Sequence, residues 1–401
     1  MGADFPADFL WGSATSAHQV EGSNVNNDWW DFEHRPGSAA RWSSGDGIDH
    51  YHRYAQDFAL LRSLGHNAHR LSLEWSRIEP APGEFSRAAT AHYRRVLTAL
   101  ADTGMTAFVT LHHFTLPRWF AAAGGWLAAD AETTFARYCR YVSAELGDLM
   151  PFVCTINEPQ MVALHGYLEA YHPPGIADET LWKRVGGRLL DAHFAAVRAV
   201  RTESDRSQVG LAVQLPLLAP ARDDEACRRL CRLMRHEIVD RYLDGLTGAD
   251  RGDFLGVQYY RKQWVDPNSP TLFGEPPAGF RRTQMGWAVH PDGLRQILHR
   301  AARTGLPLYV TENGVATEDD TERVDYLHSH LAAVAQAMAE GVDVRGYLHW
   351  SAFDNFEWSE GYRPKFGLIA VDHDDDFARI AKPSAYAFAK VAETGRLDPT
   401  G

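Results

Sequence analysis

The chain has 401 residues, 45% of them hydrophobic and 23% charged, which is enough apolar material for a large core and rules out a disordered segment. Its formal charge of −12 argues against nucleic acid or an anionic membrane as partner and leaves a small neutral ligand as the expected one. Asp4 stands where a secretory leader would be basic, and no apolar run is long enough to span a bilayer. The four cysteines (Cys139, Cys154, Cys227, Cys231) are too few for a disulfide framework, so a reducing, cytoplasmic setting is expected.

The first predicted strand covers 9–16 and is followed by a helical pattern at 51–64. Strands at 68–74, 106–114 and 152–156 then alternate with helices at 88–102, 133–146 and 189–201. The second half repeats the pattern, with strands at 209–215, 254–260, 308–311 and 345–351 and helices at 224–243, 292–303, 321–339 and 383–391. Cys227 and Cys231 lie four apart on one of these helices with no second ligand pair nearby, and they read as buried thiols rather than a metal site. The segments His172-Pro173-Pro174-Gly175 and 267–279 each follow a strand and read as loops over a mouth, not as linkers. Eight strand–helix units predict an α/β fold, a (β/α)8 TIM barrel forming one domain over 1–401. An open doubly wound sheet would show the same alternation, so the motifs must decide.

Barrels of this kind place reacting groups at the carboxyl ends of strands. The fourth strand runs into Thr155-Ile156-Asn157-Glu158-Pro159 and the seventh into Thr311-Glu312-Asn313-Gly314. Taken singly, the first reads as a helix start and the second as a turn with an incidental acid. Two glutamates at equivalent strand ends are what glycosidic cleavage requires: one carboxyl protonates the leaving oxygen and the other meets the oxocarbenium-like centre.

The opening segment 9–22 (Phe-Leu-Trp-Gly-Ser-Ala-Thr-Ser-Ala-His-Gln-Val-Glu-Gly), the two glutamate elements, Asp354-Asn355-Phe356-Glu357-Trp358, Gly361-Tyr362 and Phe366-Gly367 follow in an order that resembles glycoside hydrolase family 1, the β-glucosidase family, over nearly the full length. The resemblance implies a retaining exo-β-glycosidase acting on a non-phosphorylated β-glycoside by double displacement, with Glu158 as acid/base and Glu312 as nucleophile. It further implies Asn157 on the sugar 2-hydroxyl and Arg70 and Tyr260 beside the nucleophile. Gln19, His113, Glu357 and Trp358 would contact the glycone hydroxyls, Trp350 would form an aromatic floor, and Trp287 would stand on the leaving-group side. Core packing is the plainer reading of a lone tryptophan or histidine, but the position of Trp350 and Trp358 around Glu357 favours the pocket. His112 should point to the opposite face of its strand from His113, so the two form no metal pair.

Gln258 stands where relatives carry Asn, and Phe114 replaces a Trp. Either change alters the fine geometry of the pocket without altering the reaction class. Glu357, Pro364 and Phe366 stand where the phosphorylated-sugar branch keeps a small hydroxyl residue, Lys and Tyr, which disfavours a phosphate. No metal or organic cofactor is expected, because two carboxyls and water complete the cycle. The alternatives are transglycosylation to a non-water acceptor and, in another class, a non-catalytic sugar-binding barrel. Glycone preference and oligomeric state are not encoded in any motif.

Overall fold

The structure, a computed structural model, describes residues 3–398. Eight parallel strands close on themselves: β1 (Leu10–Ala14), β2 (Ala68–Ser72), β3 (Thr106–His112), β4 (Phe152–Asn157), β5 (Gln208–Gln214), β6 (Phe254–Gln258), β7 (Leu308–Asn313) and β8 (Val344–Trp350). Neighbours in sequence are neighbours in the barrel, and β8 pairs with β1, setting Tyr347 against Trp11. The barrel alternative therefore holds over the open sheet. The helical layer comprises α1 (His50–Ser63), α2 (Arg87–Asp102), α3 (Ala131–Leu146), α4 (Glu179–Glu203), α5 (Glu225–Arg235), α6 (Pro291–Ala301), α7 (Asp320–Ala339) and α8 (Pro383–Thr394).

Local chemistry explains the helix starts. Ser86, Asp178, Asp224 and Asp319 each accept a hydrogen bond from a backbone N–H in the first turn of α2, α4, α5 and α7, satisfying a donor that has no intrahelical partner. Two expectations need correction. Asp178 starts α4 ten residues before the periodic apolar pattern becomes evident, and the helix expected over 224–243 breaks after Arg235 into a π turn, His236–Asp240, and a short helix, Arg241–Gly245. The segment after β6 is also more ordered than a loop: Lys262–Val265 pairs with Leu217–Pro220 and with Phe273–Gly274 in a small sheet of three strands.

The strands are buried on both faces, as a parallel sheet under a helical cover requires, and their polar side chains gather toward the carboxyl ends. Their outward side chains and the inner faces of the helices form the main core. Inside the barrel Ala68, Phe108, Phe152, Phe254, Tyr309 and Leu348 fill the lower layer, with Phe108 and Phe152 stacked at 4.3 Å. That plug fills the barrel between its two mouths and separates the hollow at the amino ends of the strands, lined by Leu10, Thr106 and Val344, from the cavity at their carboxyl ends. Cys139, Cys154, Cys227 and Cys231 are buried free thiols. Among the described residues, no helix is long and apolar enough to cross a membrane.

Candidate active site

Just above the aromatic plug, Arg70 lies wholly buried in β2, two residues before the strand end. Its guanidinium donates to Glu312, to Asn157 Oδ1 at 2.5 Å and to Thr110 Oγ1 at 3.1 Å, tying β2, β3, β4 and β7 together. Tyr260, two residues past the end of β6, donates its hydroxyl to Glu312 Oε2 at 2.6 Å.

Both glutamates owe their aim to irregular pairing. In β4 one extra residue intervenes between Cys154, paired with Gly210, and Asn157, paired with Ala212. In β7 the step from Val310 to Glu312 matches a single step from Val257 to Gln258. Such a bulge reverses the in-out phase of the residues beyond it. Tyr309 and Glu312 consequently both face the interior, whereas Asn313 bonds outward to Tyr326 and Tyr347. Glu158 follows β4 with φ 46°, a left-handed conformation that is costly for glutamate, and caps the helix Pro159–Tyr167. Phe114 (φ 71°) and Trp358 (φ 50°) share that strained backbone and line the same cavity.

The cavity holds about 270 Å³ and is lined by Asn157, Glu158, Tyr260, Glu312, His113, Trp287, Trp350, Glu357 and Trp358, nine of the residues singled out in the sequence. The ring of His113 lies roughly parallel to those of Trp350 and Trp358, at 6.0 and 6.2 Å. Arg70, Gln19 and Gln258 stand behind the wall. Gln19 donates to Glu357 Oε2 at 3.3 Å and to the Phe356 carbonyl at 2.8 Å, while Gln258 donates to Asn157 Oδ1 at 2.8 Å. His112 packs outward against Trp126 and Phe135, away from His113.

The lining also includes residues that motif reading did not single out: His165, Tyr171 and His172 from the segment after β4, Gln214 at the end of β5, Arg261, Met285, and Ser359 and Glu360 beyond β8. A signal was available for Arg261, which directly follows Tyr260. Gln214 lies in the strand expected over 209–215 and His172 heads a segment expected over the mouth, so both were placeable; the others carry no motif and reach the pocket through tertiary folding alone.

Burial raises the carboxyls of Glu158, Glu312 and Glu357, by differing amounts. Glu158 is pushed well above the usual carboxylate range, first by burial and next by the charge of Glu312. Glu312 is also raised by burial, but the Arg70 charge and the hydrogen bonds from Tyr260 and Arg70 pull it back, so it ionises first. Glu357 is pushed up to about 8 by burial and by Glu312, against the hydrogen bond from Gln19. Burial and Arg70 hold His113 well below the usual imidazole range, so it is neutral.

A closed parallel barrel with two buried carboxyls in one polar, aromatic-walled cavity is the build of a (β/α)8 glycoside hydrolase. The family model described as glycosyl hydrolase family 1 matches residues 1–246 and 244–396. Beta-glucosidase A from Thermotoga maritima is 32% identical over 98% of the chain and 99% of that protein. A bifunctional beta-D-glucosidase/beta-D-fucosidase from Bifidobacterium breve is 34% identical over 95% of the chain and 96% of its own length. Among solved structures, a beta-glycosidase from Pyrococcus horikoshii superposes with a TM-score of 0.92 at 37% identity, covering 100% of this chain and 97% of that one. The chain belongs to glycosyl hydrolase family 1 and is a glycoside hydrolase.

Proposed function

We propose that the protein is a retaining exo-β-glycosidase, a β-glucosidase in the first instance, in which one domain over 1–401 carries the whole reaction. The observation that carries this reading is the division of labour between two buried carboxyls. Glu312 is held by Arg70 and Tyr260 and ionises first, while Glu158 is kept protonated by burial and by its neighbour's charge.

Glu158 gives its proton to the leaving oxygen as Glu312 attacks the anomeric carbon and forms a glycosyl ester. Esterification removes the Glu312 charge, so Glu158 ionises more readily and takes a proton from the incoming water. Asn157, fixed by Arg70 and Gln258, meets the 2-hydroxyl. Glu357, held by Gln19, and His113 and Trp358 receive the remaining hydroxyls, with Trp350 as the apolar floor and Trp287 toward the leaving group. Gln19 and Gln258 then act on the sugar mainly by setting their neighbours. Glucose as glycone is favoured by the relatives named β-glucosidases.

The test is azide rescue. Glu312→Gly should lose activity by a factor on the order of 10⁴ or more and regain it with azide as the α-glycosyl azide. Glu158→Ala should lose roughly 10²–10⁴ on poor leaving groups, far less on dinitrophenyl glycosides, and yield the β-azide. Substantial unrescued turnover by Glu312→Gly, or an undiminished rate of Glu158→Ala on poor leaving groups, overturns the assignment.

A further inference from the structure

The chain leaving β6 delivers two groups to one cavity in succession, the Tyr260 phenol to Glu312 and the Arg261 side chain to the outer wall. Arg261 is partly buried, and its guanidinium carbon lies 4.3 Å from the centroid of Trp287. Among the described residues, none forms an ion pair or hydrogen bond with that guanidinium, although burial disfavours its charge. This stands out in a chain with 52 acids to 40 bases, because removing a cation from water without a partner is costly. Of the acids whose charge reaches it, Glu169 accepts from His165 at 2.6 Å, and Glu158 is pushed toward its neutral form by burial and by Glu312.

Arg261 belongs to the Glu158 side of the pocket. Its charge reaches Glu158 and Tyr171, whereas Arg70 and Tyr260 are what govern Glu312. In the glycosidase reading, on which this inference rests, the general acid addresses the leaving-group oxygen, so the wall it shares with Arg261 is the one the aglycone passes. The guanidinium lies over the Trp287 ring, and its N–H donors, which have no partner among the described residues, are available to two carboxylate oxygens.

We propose that Arg261 makes the leaving-group side of this pocket selective for aglycones that carry a carboxylate. The probes are the β-D-glucosides of 4-hydroxybenzoate and of its methyl ester, compared through the ratio of their kcat/KM values; the change of this ratio on mutation cancels their different leaving abilities. Arg261→Gln should lower the carboxylate-to-ester ratio roughly tenfold or more, and Arg261→Lys, which keeps the charge and loses the fork, by less. In the unmodified protein the ratio should fall as salt is raised. A ratio that is unchanged in both variants, or that is indifferent to salt, overturns the proposal. If Arg261→Gln fails to fold, the Lys variant and the salt series decide. 4-Nitrophenyl β-D-glucoside separates the two readings: its cleavage with an unmoved ratio sinks the aglycone selectivity alone, and no cleavage of it or of either probe sinks both.

Discussion

Glu158, Glu312 and Glu357 share one cavity and one desolvation penalty, and what separates them is the partner each finds: another carboxylate, an arginine, or an amide. For Glu357 the consequence extends to stability. Its carboxyl titrates near 8 when folded against an ordinary value of 4.5, so between those values the folded state keeps a proton that the unfolded chain has released. More protons on the folded side means that stability falls as pH rises through this window. Glu357→Gln removes that dependence. The melting temperature of the variant relative to the parent should therefore be higher at pH 9 than at pH 5, measured by calorimetry at matched ionic strength. A difference that shrinks toward alkaline pH would place an ionised Glu357 in the folded protein at neutrality. Single residues were also where the sequence said least. The extra methylene of Gln258 marked a departure, but its reach to Asn157 Oδ1 depends on two strand ends meeting across the barrel.

At the scale of elements, the eight strands and the covering helices were legible, apart from the first ten residues of α4 and the break after α5, because hydrophobic period is a local signal. The phase of the strand ends was not. Strict alternation from Phe152 or from Tyr309 would send Asn157 and Glu312 outward, and only the bulges in β4 and β7 bring them in. A bulge is set by pairing with neighbouring strands and leaves no trace in the periodicity. Asn313-Gly314 teaches the same lesson. It reads as a tight turn, yet Asn313 ends β7, and Gly314 is required because a Cβ there would lie 1.7 Å from the Trp350 carbonyl oxygen. Gly314→Ala must therefore part the mouths of β7 and β8, the strands that carry Glu312 and Trp350. The expected cost is about 1–3 kcal/mol in urea unfolding, together with a loss of kcat/KM exceeding that of a conservative surface variant. Wild-type kinetics in this variant would mean that the two strand mouths are not mechanically linked to the chemistry.

The whole molecule separates the end that holds it closed from the end that reacts. The barrel closes where β8 meets β1, and the outer side of that seam is sealed by α8, whose Phe388 packs against Trp11 at 5.9 Å, Tyr347 at 6.2 Å and His66 at 5.3 Å. Phe5 and Phe9 extend the cluster beneath Trp11 at 4.8 and 4.6 Å. None of these side chains lines the cavity, which opens at the other end of the strands above the Phe108–Phe152 plug. Phe388→Ala should thus cost about 3–5 kcal/mol, as expected for emptying a fully buried aromatic site, and lower the urea midpoint of the entire transition, since a barrel opened at one seam keeps no closed sheet. Well below that midpoint kcat/KM should stay within about twofold of the parent, because the strand ends are held separately by the Arg70 network. A loss of activity in step with the loss of stability, in protein still folded by circular dichroism, would show instead that strain at the seam travels the length of β1 and β8 to the pocket.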